Sequence, residues 1–306
     1  RSHFGSSSRP ALRPTSLPGR APPRSKSMAT GGAFAALALL SQLGVWGAAA
    51  HGVAGARLRA LQWNPHWQCF ENSADCKANV ERVLTGYLID AELGLDFANL
   101  IEFSDSYFSP PAGWVAITYA APGDNIALYF DSRKWTRSPN NGSYATGCMI
   151  IGDRPFVIQA FDSIATGFSV VVVGAHFPHP DDYLGAVLTL GAALKSVLDA
   201  AGVDDILLIA DTNLDASVDG TNKGLMQMLE VPMAADIVGT AAVNTCCLND
   251  GFSYASDRVI ANFGQAMATD ILFVQTPEWA VGEFHRAVIG TLIVPEMSLR
   301  LDIVHV

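Results

Sequence analysis

Seven polar residues stand at the ends of apolar, strand-like runs, and their types are those that hydrolysis of a phosphoester requires. They are Asn64, Glu102, His176, Asp211, Asn213, Asp257 and His285. Such a reaction needs a Lewis acid on the phosphoryl oxygen, an activated water in line with the leaving group, and donors for the developing charge. Hard oxygen ligands suit Mg²⁺, or Mn²⁺ or Ca²⁺ in its place. The set therefore predicts a divalent metal cofactor.

Glu102 and Asn64 are the predicted metal ligands. Glu102 directly follows the apolar stretch 98–101, where a carboxylate without a partner would lose hydration energy. The alternative for this residue is a solvated carboxylate at a strand end. The side-chain carbonyl of Asn64 would add coordination to the same ion without adding charge.

Asp211 and Asn213 lie two residues apart on an extended run, so their side chains leave the same face of the strand. One can orient or deprotonate a water while the other donates to the phosphoryl oxygen. Asp and Asn also form turns, so an Asx turn that closes the strand is the alternative.

His176 and His285 are predicted to flank the scissile phosphate. One would donate to a nonbridging oxygen, and the other would serve the leaving group or the water. Asp257 is predicted to hold His285 in the required orientation.

In their order and spacing the seven residues resemble the endonuclease/exonuclease/phosphatase superfamily, and the resemblance covers essentially one whole domain. It implies an α+β fold, a four-layer α/β sandwich in which two packed mixed β-sheets are flanked by helices. Strand ends from both sheets would then meet in one cleft. The resemblance also makes Asp270 a rival for holding His285, whereas the stretch 257–260 resembles the deoxyribonuclease branch and favours Asp257.

Phe284 departs from the family pattern, which usually has Asp immediately before the final His. A phenyl ring neither binds a metal nor polarises His285. Three consequences stay open, namely weaker metal affinity, substitution by Glu283 or Asp270, or loss of activity. In the last case the chain would be a secreted binding or scaffold protein that keeps the fold.

The leading functional hypothesis is a secreted phosphodiester hydrolase that uses metal-activated water, nuclease-like or sphingomyelinase-like. The substrate would be nucleic acid, a lipid headgroup or a small molecule. Six of the 19 Lys/Arg residues and none of the 29 Asp/Glu residues precede Ala56, so the chain from there on carries a net charge of −16. This charge argues against tight DNA binding, because nucleic-acid binders usually present a basic face. No stable protein partner is predicted, and a monomer is expected.

The elements that must position these residues follow from apolar periodicity. Helical spacing predicts helices at 73–93, from Pro180 to just before Gly202, and at 224–229. Strand-like runs are predicted at 58–67, 97–103, 114–120, 125–131, 157–164, 168–177, 206–213, 257–263, 270–274 and 285–294. The pair 157–164 and 168–177 is predicted to form a hairpin.

Three segments are predicted along the chain. Residues 1–27 are rich in Ser, Pro and Arg and are expected to be a translated leader or a disordered extension. Residues 28–55 are expected to be a signal peptide, with a membrane anchor as the rival. Residues 56–306 would form the folded domain, secreted to the extracellular space unless further signals direct it to an organelle.

Five cysteines allow at most two disulfides and leave one thiol over, which suits an oxidising compartment. Cys69 and Cys76 form the easiest pair because the loop between them is short. Cys148 is the next candidate, paired with either Cys246 or Cys247.

Overall fold

A computed structural model describes residues 56–103, 108–180, 183–214, 221–231, 237–240 and 243–294. Within these residues two mixed β-sheets pack face to face and helices cover their outer faces. The predicted α+β sandwich is confirmed. The predicted leader and signal peptide, residues 1–55, lie outside the described residues.

Thirteen strands and four α-helices make up the described part of the chain. The strands are β1 (Ala56–Trp63), β2 (Phe97–Ile101), β3 (Trp114–Ala120), β4 (Asn125–Asp131), β5 (Trp135–Arg137), β6 (Tyr144–Ile150), β7 (Asp153–Ser163), β8 (Ser169–His176), β9 (Ile206–Asp211), β10 (Val238–Gly239), β11 (Asp257–Ala261), β12 (Gln265–Ile271) and β13 (Val288–Val294). The helices are α1 (Trp67–Asn72), α2 (Ala74–Ile89), α3 (Tyr183–Ala201) and α4 (Asn222–Met228).

The first sheet has the strand order β12-β13-β1-β2-β4-β3, and the second has the order β10-β11-β9-β8-β7-β5, with β6 also paired to β7. Among the described strands, β1 and β2 are parallel neighbours in the first sheet, and β8 and β9 are parallel neighbours in the second. The other pairs are antiparallel, and the predicted hairpin is the pair β7 and β8.

Alternation along each strand divides the core into three layers. In β1, Leu58 and Ala60 face the second sheet, whereas Leu61 and Trp63 face α2. The apolar stripe of α3 packs on the far side of the second sheet. By length and composition α3 is apolar enough to cross a membrane, yet eight of its residues are buried in this core. α3 therefore packs as one of the two outer, helical layers of the four-layer sandwich.

Helix ends follow local chemistry. The Ser73 hydroxyl accepts a hydrogen bond from the backbone N–H of Cys76, which caps α2 as predicted. Thr221 caps α4 in the same way, so this helix begins two residues before its predicted start. Gly202 follows α3 with φ of 67°, a conformation that glycine adopts at no steric cost.

Several predicted strand boundaries are wrong. β1 ends at Trp63 because Pro65 has no N–H for a strand partner and His66 turns the chain with φ of 66°. β12 covers 265–271 instead of 270–274, since it follows β13 in register while Phe273 leaves to join an aromatic cluster. Residues 285–287 precede β13. The strands β5, β6 and β10 were not predicted, and two of them are three residues or shorter.

The first predicted disulfide is confirmed, and the second is wrong. Cys69 bonds Cys76 and joins α1 to α2, whereas Cys246 bonds its neighbour Cys247. The part of the chain that the structure describes includes all five cysteines, and Cys148 is the free one. It lies on β6, and three strands about 4.8 Å apart separate β6 from β11 and the loop before it, too far for a bond.

Thiol titration tests this pairing. Under denaturing conditions without reductant, the protein should show one reactive thiol, and Cys148→Ala should show none. After reduction the parent chain should show all five. Three or more thiols before reduction would contradict the two disulfides.

Candidate active site

The strand topology brings the predicted residues to one edge of the sandwich. Asn64 and Glu102 directly follow the parallel strands β1 and β2, and His176 and Asp211 end the parallel strands β8 and β9. His176 and Asp211 are register partners. Because the carboxyl ends of parallel strands lie at the same edge of a sheet, each sheet delivers two of these side chains to that edge.

The two remaining elements arrive from the opposite direction. β11 runs antiparallel to β9, and its first residue, Asp257, lies opposite Asp211. β13 runs antiparallel to β1, and His285 precedes it and donates its backbone N–H to the carbonyl of Asn64. The amino ends of these strands therefore supply Asp257 and His285 to the same edge.

Asp211 is fully buried and uses both carboxylate oxygens. One oxygen accepts from Asn64 Nδ2 at 2.9 Å, and the other accepts from the backbone N–H of Asn213 at 2.9 Å. Burial opposes the charged form, but His285 and His176 lower the pKa of Asp211 below its usual value. The Asx turn expected as the alternative is therefore present, and it leaves Oδ2 within the site.

His285 and Asp257 form a buried ion pair, with Nδ1 2.8 Å from Oδ2. Gln62 Nε2 donates to the second oxygen of Asp257 at 3.1 Å. Burial alone would lower the pKa of His285, yet Asp257 and Asp211 raise it to about 9. Asp270 is exposed on β12 opposite Ile289, so Asp257 is the carboxylate that holds His285.

His176 is surrounded by partners that the sequence did not reveal. Its Nδ1 lies 2.5 Å from Asp124 Oδ2, and its Nε2 lies 2.6 Å from Arg154 Nη1 and 3.2 Å from Asn213 Nδ2. Burial opposes protonation of His176, whereas Asp124 and Glu102 raise its pKa. Asp124 lies in the turn before β4, and Arg154 is the second residue of β7. Charged residues are common in turns and at their edges, so nothing in the sequence singled them out.

His66 is a further residue missed by the sequence analysis. Its Nε2 lies 3.4 Å from Glu102 and 3.3 Å from Glu283, and its backbone N–H donates to Asn64 Oδ1 at 2.8 Å. Burial above all, and then the neighbouring His285 and His176, lower the pKa of His66 to about 4. His66 is therefore a neutral bridge between Glu102 and Glu283 at pH 7.

Phe284 is a core residue and does not take up a ligand position. It is fully buried, and its ring lies 6.2 Å from Trp63, 5.9 Å from Phe273 and 5.4 Å from Trp279 between centroids. Edge-on contacts of this kind stabilise aromatic clusters. Phe284, which departs from the family pattern, therefore packs in the core. Its neighbour Glu283 contacts the site through His66.

The donor chemistry of this edge fits a hard divalent cation. The described residues place four carboxylates here, from Glu102, Asp124, Asp211 and Asp257, all buried or nearly so. Burial chiefly raises the pKa of Glu102; His176 and His285 lower it, whereas Asp124 and Asp211 raise it further. Clustered carboxylate and amide oxygens are the ligands that Mg²⁺ prefers. Asn64 Oδ1 keeps one lone pair beside its bond to His66.

Replacement of Phe284 tests its packing role. Phe284→Asp should lower the melting temperature by about 10 °C or more, because a buried Phe contributes about 3–5 kcal/mol and a buried charge costs more. Phe284→Leu, which keeps an apolar side chain, should lower it by much less. Calorimetry measures both, and an unchanged melting temperature with tighter Mg²⁺ binding in Phe284→Asp would place this residue at the metal instead.

The sequence matches no protein-family model and no curated protein sequence. Its fold, however, resembles several solved structures. An endonuclease/exonuclease/phosphatase from Bacteroides vulgatus superimposes with a TM-score of 0.59 at 14% identity, over 78% of this chain and 99% of the other. The human Nocturnin catalytic domain with a bound sulfate anion gives 0.55 at 13% identity, over 77% and 92%.

A third structure, TDP2 of D. rerio in complex with a single-stranded DNA product, gives a TM-score of 0.53 at 13% identity, over 77% of this chain and 98% of the other. Identities this low establish the fold, and function must be argued from the site itself. The resemblance inferred from seven residues is confirmed at that level. This chain has the fold of these endonuclease/exonuclease/phosphatase structures.

Proposed function

We propose that this chain is a divalent-metal-dependent phosphodiester hydrolase in which water attacks phosphorus directly. The observation that carries the proposal is the convergence of nitrogen donors on Nε2 of His176. Arg154 Nη1 and Asn213 Nδ2 approach this atom within 3.2 Å, at an edge otherwise lined by carboxylates. Guanidinium, amide and imidazolium groups pointed at one place suit a phosphoryl oxygen as their common acceptor.

Asp124 fixes the tautomer of His176. Its bond to Nδ1 leaves Nε2 directed towards Arg154 and Asn213. When the ring is neutral, Nε2 accepts from the guanidinium, since two donors cannot bond each other. When His176 is protonated, its Nε2–H becomes a third donor, and a bound phosphoryl oxygen accepts from all three groups.

His285 supplies a proton donor on the other side of Asp211. Its Nδ1–H is held by Asp257, and with a pKa of about 9 the ring is protonated at neutral pH. The Nε2–H is then available to a nonbridging or leaving-group oxygen. Asp257 keeps the ring oriented and stabilises its charge, as a carboxylate does for many catalytic histidines.

Asp211 is the group suited to accept the proton of the attacking water. Its low pKa keeps it ionised, and bonds from Asn64 and Asn213 hold its two oxygens in place. The proposed reaction forms no covalent intermediate with the protein. The sulfur nearest to His285, that of Cys247 at 3.8 Å, is bonded to Cys246 and offers no thiolate.

Glu102 and Asn64 would hold the metal ion, Mg²⁺ or alternatively Mn²⁺ or Ca²⁺. When bound, the ion polarises a phosphoryl oxygen and lowers the pKa of water. His66, neutral at pH 7, helps to position Glu102 through its Nε2, which lies 3.4 Å from the carboxylate. The backbone N–H of Trp67 donates to the same carboxylate at 3.3 Å.

The cleft beside this site favours a small phosphodiester over a long polyanion. It has a volume of about 620 Å³, and its described lining includes Trp67, Glu71, Glu102, Asp124, Asp153 and Arg154. Four carboxylates against one guanidinium repel extended phosphate backbones. Nucleic acid and a lipid headgroup remain candidate substrates, and both are assayed together with small diesters.

We also propose secretion of a monomeric domain after removal of residues 1–55, with onward delivery to an organelle as a variant of this route. Two disulfides in the described domain support an oxidising compartment. The rival function, an inactive scaffold, rested on Phe284. Because Phe284 packs in the core and Asp257 holds His285, that residue no longer argues for inactivity.

Metal removal is the first test. The purified domain should hydrolyse bis(4-nitrophenyl) phosphate, single-stranded DNA or sphingomyelin with Mg²⁺ or Mn²⁺, and excess chelator should abolish the activity. Adding back the metal should restore it, which controls for damage by the chelator. Unchanged turnover in excess chelator would contradict metal dependence, and no turnover on any substrate would favour the scaffold.

Asp257 and Asp270 form a matched pair for the second test. Asp257→Asn should lower kcat by ~10²-fold or more, because the carboxylate that stabilises protonated His285 is lost. Asp270→Asn removes an exposed carboxylate three strands from β2 and should leave kcat unchanged. Thermal melts of both variants control for stability. Equal effects on kcat would refute the assignment of Asp257.

A further inference from the structure

A second pocket, of about 290 Å³, lies beside the proposed site and has a different chemistry from the acidic cleft. Its described lining includes His179, Pro180, Asn213, Cys246, Cys247 and Tyr254. None of the described lining side chains is a carboxylate, a lysine or an arginine. Besides His179 and Asn213, the lining includes a proline, a tyrosine and two adjacent cysteines joined by a disulfide.

This pocket is contiguous with the atoms proposed to act on the phosphate. Asn213 lines it and also contacts His176 Nε2 at 3.2 Å. Cys247 lines it and lies 3.8 Å from His285 Nε2. A phosphoryl group between the two imidazoles would therefore carry one of its ester substituents into this pocket.

The pocket wall is held in place by backbone hydrogen bonds. Tyr254 and Cys246 exchange N–H and carbonyl bonds at 2.8 and 3.0 Å, which sets them opposite each other. Thr245 accepts from the backbone N–H of Arg286 at 2.9 Å, directly after His285. Tyr254 nevertheless remains 46% exposed. An exposed ring on a hydrogen-bonded backbone beside a reaction centre is suited to contact a ligand.

We propose that this pocket is a specificity subsite for a planar, uncharged ring on one ester group of the substrate, held between Tyr254 and the Cys246–Cys247 disulfide. The inference rests on the proposed function, because it assigns the substituent of the diester that this site cleaves. Ring stacking and sulfur–aromatic contact both stabilise such a group. The described lining offers a second phosphate or carboxylate no lysine or arginine, and burial and then Arg154 lower the pKa of His179.

Paired substrates with the same leaving group test the subsite. Phenyl, thymidine 5′ and methyl esters of 4-nitrophenyl phosphate share the nitrophenolate, and the ratio of kcat/KM for each ring ester to the methyl ester is measured. Tyr254→Ala should lower the ratio about tenfold, the usual contribution of one stacked ring. Tyr254→Phe should keep it. If Tyr254→Ala lowers the ratio for the phenyl ester alone, the subsite accepts an aryl group. If it lowers the ratio for the thymidine ester alone, the subsite accepts a nucleobase.

Tyr144→Ala is the matched control, because Tyr144 has the same 46% exposure but lies on β6. It should leave the ratio unchanged, and comparison with the parent cancels intrinsic differences in ester reactivity. An unchanged ratio in Tyr254→Ala would overturn the subsite, as would an equal fall in Tyr144→Ala.

Binding of uncleavable phosphonates separates this inference from the proposed function. With Mg²⁺ present, calorimetry should find that phenylphosphonate binds the parent chain about tenfold more tightly than methylphosphonate, and that Tyr254→Ala removes the difference. If no ester is hydrolysed but this preference holds, the hydrolase proposal fails and the subsite stands. If esters are hydrolysed and the two phosphonates bind equally in the parent, the subsite fails and the hydrolase stands.

Discussion

Buried negative charge at one edge of the sandwich is the constraint around which the structure is arranged. A carboxylate taken out of water costs several kcal/mol unless cations and N–H donors replace its hydration. Asp257 meets this demand with His285 and Gln62, and Asp124 with His176. The requirement extends inward, because Asn99 donates to Gln62 Oε1 at 2.8 Å from between the two sheets. The hydrogen-bond network of the site thus extends into the middle of an otherwise apolar core.

The strand topology places the buried carboxylates and their partners together. One parallel pair in each described sheet, flanked by antiparallel strands, collects chain ends at a single edge. The loops that leave this edge then differ in chemistry. The turn before β4 and the start of β7 bring Asp124, Asp153 and Arg154 to the acidic cleft, whereas the loop before β11 brings a disulfide and a tyrosine to the second pocket. The two pockets therefore offer different environments to a cation and to an uncharged ring.

The sequence was informative where side chains repeat or end a strand. Alternating apolar residues located the inner strands and α3, and the seven polar strand ends all lie at the edge where they were expected. Asp124, Arg154 and His66 escaped notice because a single polar residue in a turn or at the start of a strand looks like any solvated one. For a related reason the sequence did not show that Phe284 packs in the core, and the predicted pairing of Cys148 was wrong. Sequence order reports neither which face of a segment is buried nor how many strands separate two cysteines.

The Cys69–Cys76 bond has a consequence for how the acidic cleft behaves in time. α1 is only six residues long, yet it carries Trp67 and Phe70 on the cleft wall. So short a helix frays readily, since few hydrogen bonds offset the cost of nucleating it. The bond joins Cys69, in the middle of α1, to Cys76 of α2 across seven positions, so a frayed segment stays close to α2. Closure of loops of that size takes about 10–100 ns, far less than an enzymatic turnover of roughly 1–10³ per second. Each substrate would therefore meet a wall averaged over many openings and reclosures.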